Sequence, residues 1–132
     1  MKIEVSFEGK KGVNANFNGY VVKTDQPVES GGGGNFPSPF ELFLSSLATC
    51  AGIYIKSFCD MRNLPTENIK ITQEMEYDEI TKMLVRVNIQ IQVPPDFPEN
   101  YKDALVAVAD KCKVRKHLLN APEVTAYTTV LV

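Results

Sequence analysis

Apolar and polar residues alternate from Lys2 to Phe7, with Ile3, Val5 and Phe7 on one side and Lys2, Glu4 and Ser6 on the other. That period of two is the mark of a strand. Gly9-Lys10-Lys11-Gly12 turns the chain. Val13 to Phe17 and Tyr20 to Lys23 then flank Asn18-Gly19, the strongest short hairpin signal. The opening segment therefore reads as three antiparallel strands. Gly31-Gly32-Gly33-Gly34 interrupts the pattern. Four glycines carry a large entropy cost on ordering, and the run reads as a flexible flap. It lacks the GK[ST] ending of a phosphate loop.

Ser38-Pro39 has the form of a helix start, with Ser38 as N-cap and Pro39 at the first helical position. The spacing predicts a helix from about Pro39 to Arg62, ending before Asn63 and Pro65. Its apolar residues surround most of the circumference, so burial on several sides is expected. Strict alternation returns in Ile69 to Tyr77 and in Val85 to Val93, predicting two long strands joined by a turn near Asp78 to Lys82. A second helix is expected from about Glu99 to Leu119, and a last strand from Val124 to Val132. The sum is α+β: antiparallel sheets with two long helices in a single domain spanning residues 1–132.

Composition narrows the function. Fourteen Lys+Arg against sixteen Asp+Glu give a net charge of −2, which disfavours a nucleic-acid partner. The long apolar stretch Phe40–Ile55 contains Glu41, Ser45, Ser46 and Thr49 and reads as too short and too polar for a membrane span. Three cysteines leave one unpaired and exclude a complete disulfide scaffold. A reducing cytoplasm is the expected setting.

Cys50 lies mid-helix, with Ser46, Thr49, Ala51 and Gly52 around it. A free cysteine there is either a small buried hydrophobe or a thiol with room for something to approach. Mid-helix, it gets no help from its own helix dipole, so lowering its pKa needs a nearby cation. Cys59 is nine residues on, roughly 13.5 Å along the axis and on the opposite face, too far for a disulfide with Cys50. It reads as structural. Cys112 falls in line with the apolar stripe of the second helix and can face the first. Lys111, Lys113, Arg115 and Lys116 around it suit a helix C-terminus and also favour a thiolate at Cys112. A lone His117 and no CxxC argue against a metal site.

The segment Gly33-Gly34…Pro37-Ser38-Pro39-Phe40-Glu41-Leu42-Phe43-Leu44-Ser45-Ser46-Leu47-Ala48-Thr49-Cys50, with Asp110-Lys111-Cys112-Lys113-Val114-Arg115-Lys116 further on, resembles the signature of the OsmC/Ohr family. The order of elements matches over essentially the whole chain. The resemblance implies an OsmC-like fold in an intertwined homodimer. It also implies a thiol-dependent hydroperoxide reductase without a cofactor. Cys50 would be the peroxidatic thiol and Cys112 the resolving one, with a lipoyl or other thiol reductant restoring both. Organic hydroperoxides are the implied substrates, and Phe36, Phe40, Phe43 and Tyr54 are the candidate substrate pocket.

Two positions depart from the peroxidase branches, which use an Arg from the N-terminal sheet region and a carboxylate directly after the helix-opening Pro. No Arg precedes Arg62, so Lys10 or Lys11 is the candidate thiolate-stabilising cation. An ammonium is a point charge and not a planar fork. The carboxylate is one residue late, at Glu41. It is either a catalytic partner supplied across subunits or a first-turn acid that suits the helix dipole. These departures keep an alternative open: a non-enzymatic binding or redox-sensing module with a small apolar ligand near Cys50.

Overall fold

The computed structural model describes all 132 residues. The chain divides into two compact units, Met1–Ser46 and Leu47–Val132. Its fold is mixed helix and sheet, with two antiparallel sheets.

The first unit carries β1 (Glu4–Glu8), β2 (Gly12–Phe17) and β3 (Tyr20–Thr24), in the spatial order β1-β2-β3. Asn18 and Gly19 both take positive φ, 49° and 80°, as a tight hairpin turn with the right twist requires. The glycine run does not form the flexible flap expected from composition. Buried Asp25 collects it: the carboxylate accepts the N–H of Gln26 at 2.8 Å and that of Gly33 at 3.2 Å. Gly34 N–H reaches the Gln26 carbonyl, and Asp25 N–H reaches that of Pro37. A Cβ at position 32 would stand 1.9 Å from the Gln26 oxygen. Gly32 is there because the backbone passes too close for any side chain.

The long helix α1 (Pro39–Met61) begins in the first unit and continues through the second. Its start is a reciprocal capping box. Ser38 Oγ accepts the Glu41 N–H at 3.2 Å, and Glu41 Oε1 accepts the Ser38 N–H at 3.0 Å. Its end is a Schellman turn. Asn63 takes φ 56°, Leu64 N–H reaches the Cys59 carbonyl, and Asn63 N–H reaches that of Asp60.

In the second unit, β4 (Lys70–Tyr77) pairs with β5 (Leu84–Gln92). The Asp78 carboxylate accepts the N–H groups of Ile80 and Thr81 and closes their turn. The core joins Ile55, Phe58 and Cys59 of α1 to Phe97 and Leu105, with Ile69, Ile71 and Ile91 packed around them. Arg62 lies 3.7 Å above the Phe58 ring, and Tyr101 meets that ring edge-on. By length and composition alone α1 is long and apolar enough to cross a membrane. The helix ends at Met61, one residue from the expected Arg62.

Two expected elements differ. The second helix is not continuous. After a single 3-10 turn at Glu99–Tyr101 come α2 (Lys102–Ala109) and a separate α3 (Lys113–Leu119). The last turn of α2 tightens, with Lys111 N–H on Val108 and Cys112 N–H on Ala109. Cys112 then swings to ψ 124° and the helix restarts. The expected strand Val124–Val132 forms no ladder, and Val124, Tyr127, Val130 and Leu131 stand exposed. The segment pairs with none of the open edges of the two sheets.

Candidate functional site

The structure brings Cys50 and Cys112 together. Cys50 is half-buried on α1. Cys112 is 2% exposed, and its Sγ caps α3 by accepting the Arg115 N–H at 3.5 Å. The two thiols hydrogen-bond to each other. Burial pushes the Cys50 thiol up, but other contacts outweigh it. They are the bond with Cys112, the N–H groups of Val114 and Lys113, and the Lys113 charge. The result lies below the ordinary thiol value. Cys112 goes the other way: burial first, then its bond to Cys50, hold it above that value. One thiol is thus poised to ionise and its neighbour to stay protonated.

The charge that acts on Cys50 here is that of Lys113, a position the sequence reads as charge at a helix C-terminus. Lys113 opens α3, and the N–H groups of its first turn point at the sulfur of Cys50. The dipole that α1 cannot supply at its own centre comes from the start of a different helix. Cys59 is fully buried in the core, and burial pushes its thiol up. It has the setting of an inert filler. Gly52 faces the Ile71 side chain, and Ala51 is 1% exposed. These small residues serve close packing, and not only access to the thiol.

The other candidates lie elsewhere in the chain. Lys10 and Lys11 are exposed on the turn between β1 and β2. Glu41 is engaged in the capping box, and its bonds from Ser38 hold its carboxyl below the usual range. That is the first-turn acid of the simpler expectation. Phe40 stacks on Phe43 at 5.6 Å, and Lys23 sits over the Phe36 ring. Phe36 and Glu41 line a shallow hollow of about 380 Å³ in the first unit, with Pro27, Gly34, Asn35 and Pro37. Tyr54 is half-buried on α1. None of the four aromatic residues lines the cavity that adjoins Cys112.

That cavity, about 490 Å³, lies wholly in the second unit. Leu47, Ala51, Val87, Ile89, Ile91, Val106 and Leu118 make it apolar, and Cys112 opens onto it. Arg86 and Arg115 stand at its polar margin, paired with Glu76 and Asp110. Its wall comes from β5 and α3, which no aromatic pattern in the sequence points to. The signal that was available is the alternation of β5, whose odd positions Val87, Ile89 and Ile91 are half-buried and line the cavity.

A model of the family described as OsmC-like protein matches residues 31–126. No curated protein matches the chain in sequence. Solved structures share the fold at low identity. One is a Psychrobacter arcticus protein assigned provisionally to osmotic-stress induction and detoxification response, with TM-score 0.73 and 20% identity over 88% of this chain and 86% of that one. An OsmC-like protein of Mycoplasma pneumoniae aligns at TM-score 0.69 and 13% identity, covering 91% and 87%. The organic hydroperoxide resistance protein OhrB of Bacillus subtilis aligns at 0.54 and 16%, covering 92% and 93%. With the family match spanning well over half the residues, the chain belongs to the OsmC-like family.

Proposed function

We propose that this protein reduces organic hydroperoxides through a two-cysteine cycle. The observation that carries the reading is the Cys50 thiol, hydrogen-bonded to Cys112 and faced by the N–H groups of Lys113 and Val114. Cys50 thiolate attacks the distal peroxide oxygen. The O–O bond breaks, the alkoxide takes a proton and leaves as alcohol, and Cys50 becomes a sulfenic acid. The Cys112 sulfur then attacks the Cys50 sulfur. Hydroxide leaves, combines with the Cys112 proton as water, and a disulfide remains. A dithiol returns both sulfurs to thiols and is itself oxidised to a disulfide. Lys113, and not Lys10 or Lys11, is the cation we assign to the thiolate. The cycle suits a reducing cytoplasm, where such a dithiol is regenerated.

Cumene hydroperoxide should convert Cys50 and Cys112 into one disulfide by peptide mass mapping, with Cys59 still a free thiol as internal control. Two reduced thiols after excess peroxide would refute the cycle. The lowered Cys50 pKa also sets a pH profile. A thiol below its ordinary value stays ionised as pH falls, so Cys50 should alkylate at pH 7 faster than a model thiol, while Cys59 stays unlabelled. Equal rates for Cys50 and the model thiol would contradict the assigned electrostatics.

A second reading has its own observation. The apolar cavity beside Cys112 and the absence of Arg before Arg62 suit a module that binds a small apolar molecule or senses redox state without turnover. Native mass spectrometry finding a retained ligand, together with no peroxide turnover under a dithiol, would favour it.

The working unit of either reading is a homodimer. Its support is the unpaired, β-prone Val124–Val132 segment and the exposed Val5 and Phe7 on β1, apolar surface that a single chain leaves in water. Deleting residues 124–132 should convert a dimer to monomer or insoluble protein by light scattering. A truncated chain that remains a soluble dimer would remove the segment from the interface.

A further inference from the structure

The half-exposed Cys50 is the easier sulfur to reach, and Cys112 is almost fully buried. Accessibility alone therefore directs a reductant to Cys50. The construction of α3 argues for the opposite. This helix has seven residues, none buried, and no acid in its first turn. A helix that short is marginal without outside support. Cys112 Sγ receives the Arg115 N–H, and Cys50 receives those of Lys113 and Val114. A disulfide closes the two sulfurs to about 2.05 Å, roughly 1 Å or more inside hydrogen-bonding distance. It also removes the charge that Cys50 carries when ionised and leaves its sulfur a weak acceptor. Both changes withdraw what holds the first turn of α3.

We propose that oxidation of the pair releases the first turn of α3, and that Cys112 is thereby the sulfur a dithiol reductant attacks. The inference rests on the two-cysteine reading above and adds the direction of its reductive half. The reductant thiolate attacks Cys112 Sγ and the S–S bond breaks. The electron pair leaves on Cys50 Sγ, where Lys113 and Val114 N–H receive it as α3 closes again. Cys112 now carries a mixed disulfide. The second reductant thiolate attacks the reductant's own bound sulfur and closes its disulfide, and Cys112 departs as thiolate and takes a proton. Attack at Cys50 would instead expel the sulfur that its surroundings keep protonated, the poorer leaving group. The release also moves Arg115 and Leu118, which line the cavity beside Cys112. That wall opens only in the oxidised protein.

The test uses the full chain oxidised with diamide, so it does not depend on peroxide turnover. Hydrogen exchange across 113–119 should quicken about tenfold or more on oxidation while β5 is unchanged, the sign of local and not global opening. A brief exposure to 2-mercaptoethanol, quenched with N-ethylmaleimide, should then place the thiol adduct on Cys112 and the maleimide on Cys50. A disulfide with unchanged exchange in 113–119, or an adduct on Cys50, overturns the proposal and leaves the two-cysteine reading standing. Two free thiols after diamide overturn both.

Discussion

A Cys50→Ser chain is expected to consume organic hydroperoxide at least about 10³-fold more slowly than the natural one, since a serine hydroxyl stays protonated where a cysteine ionises. The fold should be untouched, because the site is half-buried and the change replaces one sulfur by a smaller oxygen. Circular dichroism and unfolding midpoint serve as the control. Cys112→Ser should behave differently. Cys50 still reacts once, so one equivalent of peroxide per subunit disappears at near the natural rate and turnover then stops. The stranded sulfenic acid proceeds to sulfinic acid under excess peroxide, because no second sulfur arrests it. Stopped-flow peroxide consumption with mass analysis separates the two variants. A Cys50→Ser enzyme that keeps its activity would end the mechanism, and a Cys112→Ser enzyme that turns over repeatedly would remove Cys112 from it.

Leu105→Ala should cost about 2–5 kcal/mol of unfolding free energy. Leu105 is 1% exposed and belongs to the cluster with Ile55, Phe58, Cys59 and Phe97. Its removal leaves a cavity that backbone from two helices and β5 cannot collapse to fill. Against a total stability of roughly 5–15 kcal/mol this is a large share. Urea unfolding checks it through the midpoint, with the slope unchanged. Val106→Ala, one position on and 54% exposed, should cost less than about 1 kcal/mol. Similar losses at both positions would mean that the core does not run through Leu105.

Much of this was legible because it is local. Asn18-Gly19, the alternation of β4 and β5, and Ser38-Pro39 with Glu41 three residues after the cap each carry their geometry in a few neighbouring residues. The break before Cys112 does not. No Gly or Pro lies between Ala109 and Lys113, and the apolar stripe passes through uninterrupted. The break depends on a thiol that finds the Arg115 N–H on one side and Cys50, on α1, on the other. That single break also inverts the meaning of Lys113. In a continuous helix it is a favourable charge near the C-terminus. At the start of α3 it opposes the dipole of its own helix, and its charge acts instead to lower the pKa of Cys50. The glycine run misled for a similar reason. Its order is fixed by Asp25, eight residues before Gly33, and composition shows no trace of that bond.

The Asp25 clasp makes the segment before α1 a spacer of set length. A flexible linker absorbs an inserted residue at little cost. Here both ends are bonded: Asp25 N–H to Pro37 at 3.1 Å, and the Asp25 carboxylate to Gly33. One extra glycine among Gly31–Gly34 cannot be shed into slack. It must break one of those bonds or shift Ser38, and with Ser38 the capping box. In kin that share the clasp, the count of residues between Asp25 and Ser38 should therefore vary far less than the letters that fill it.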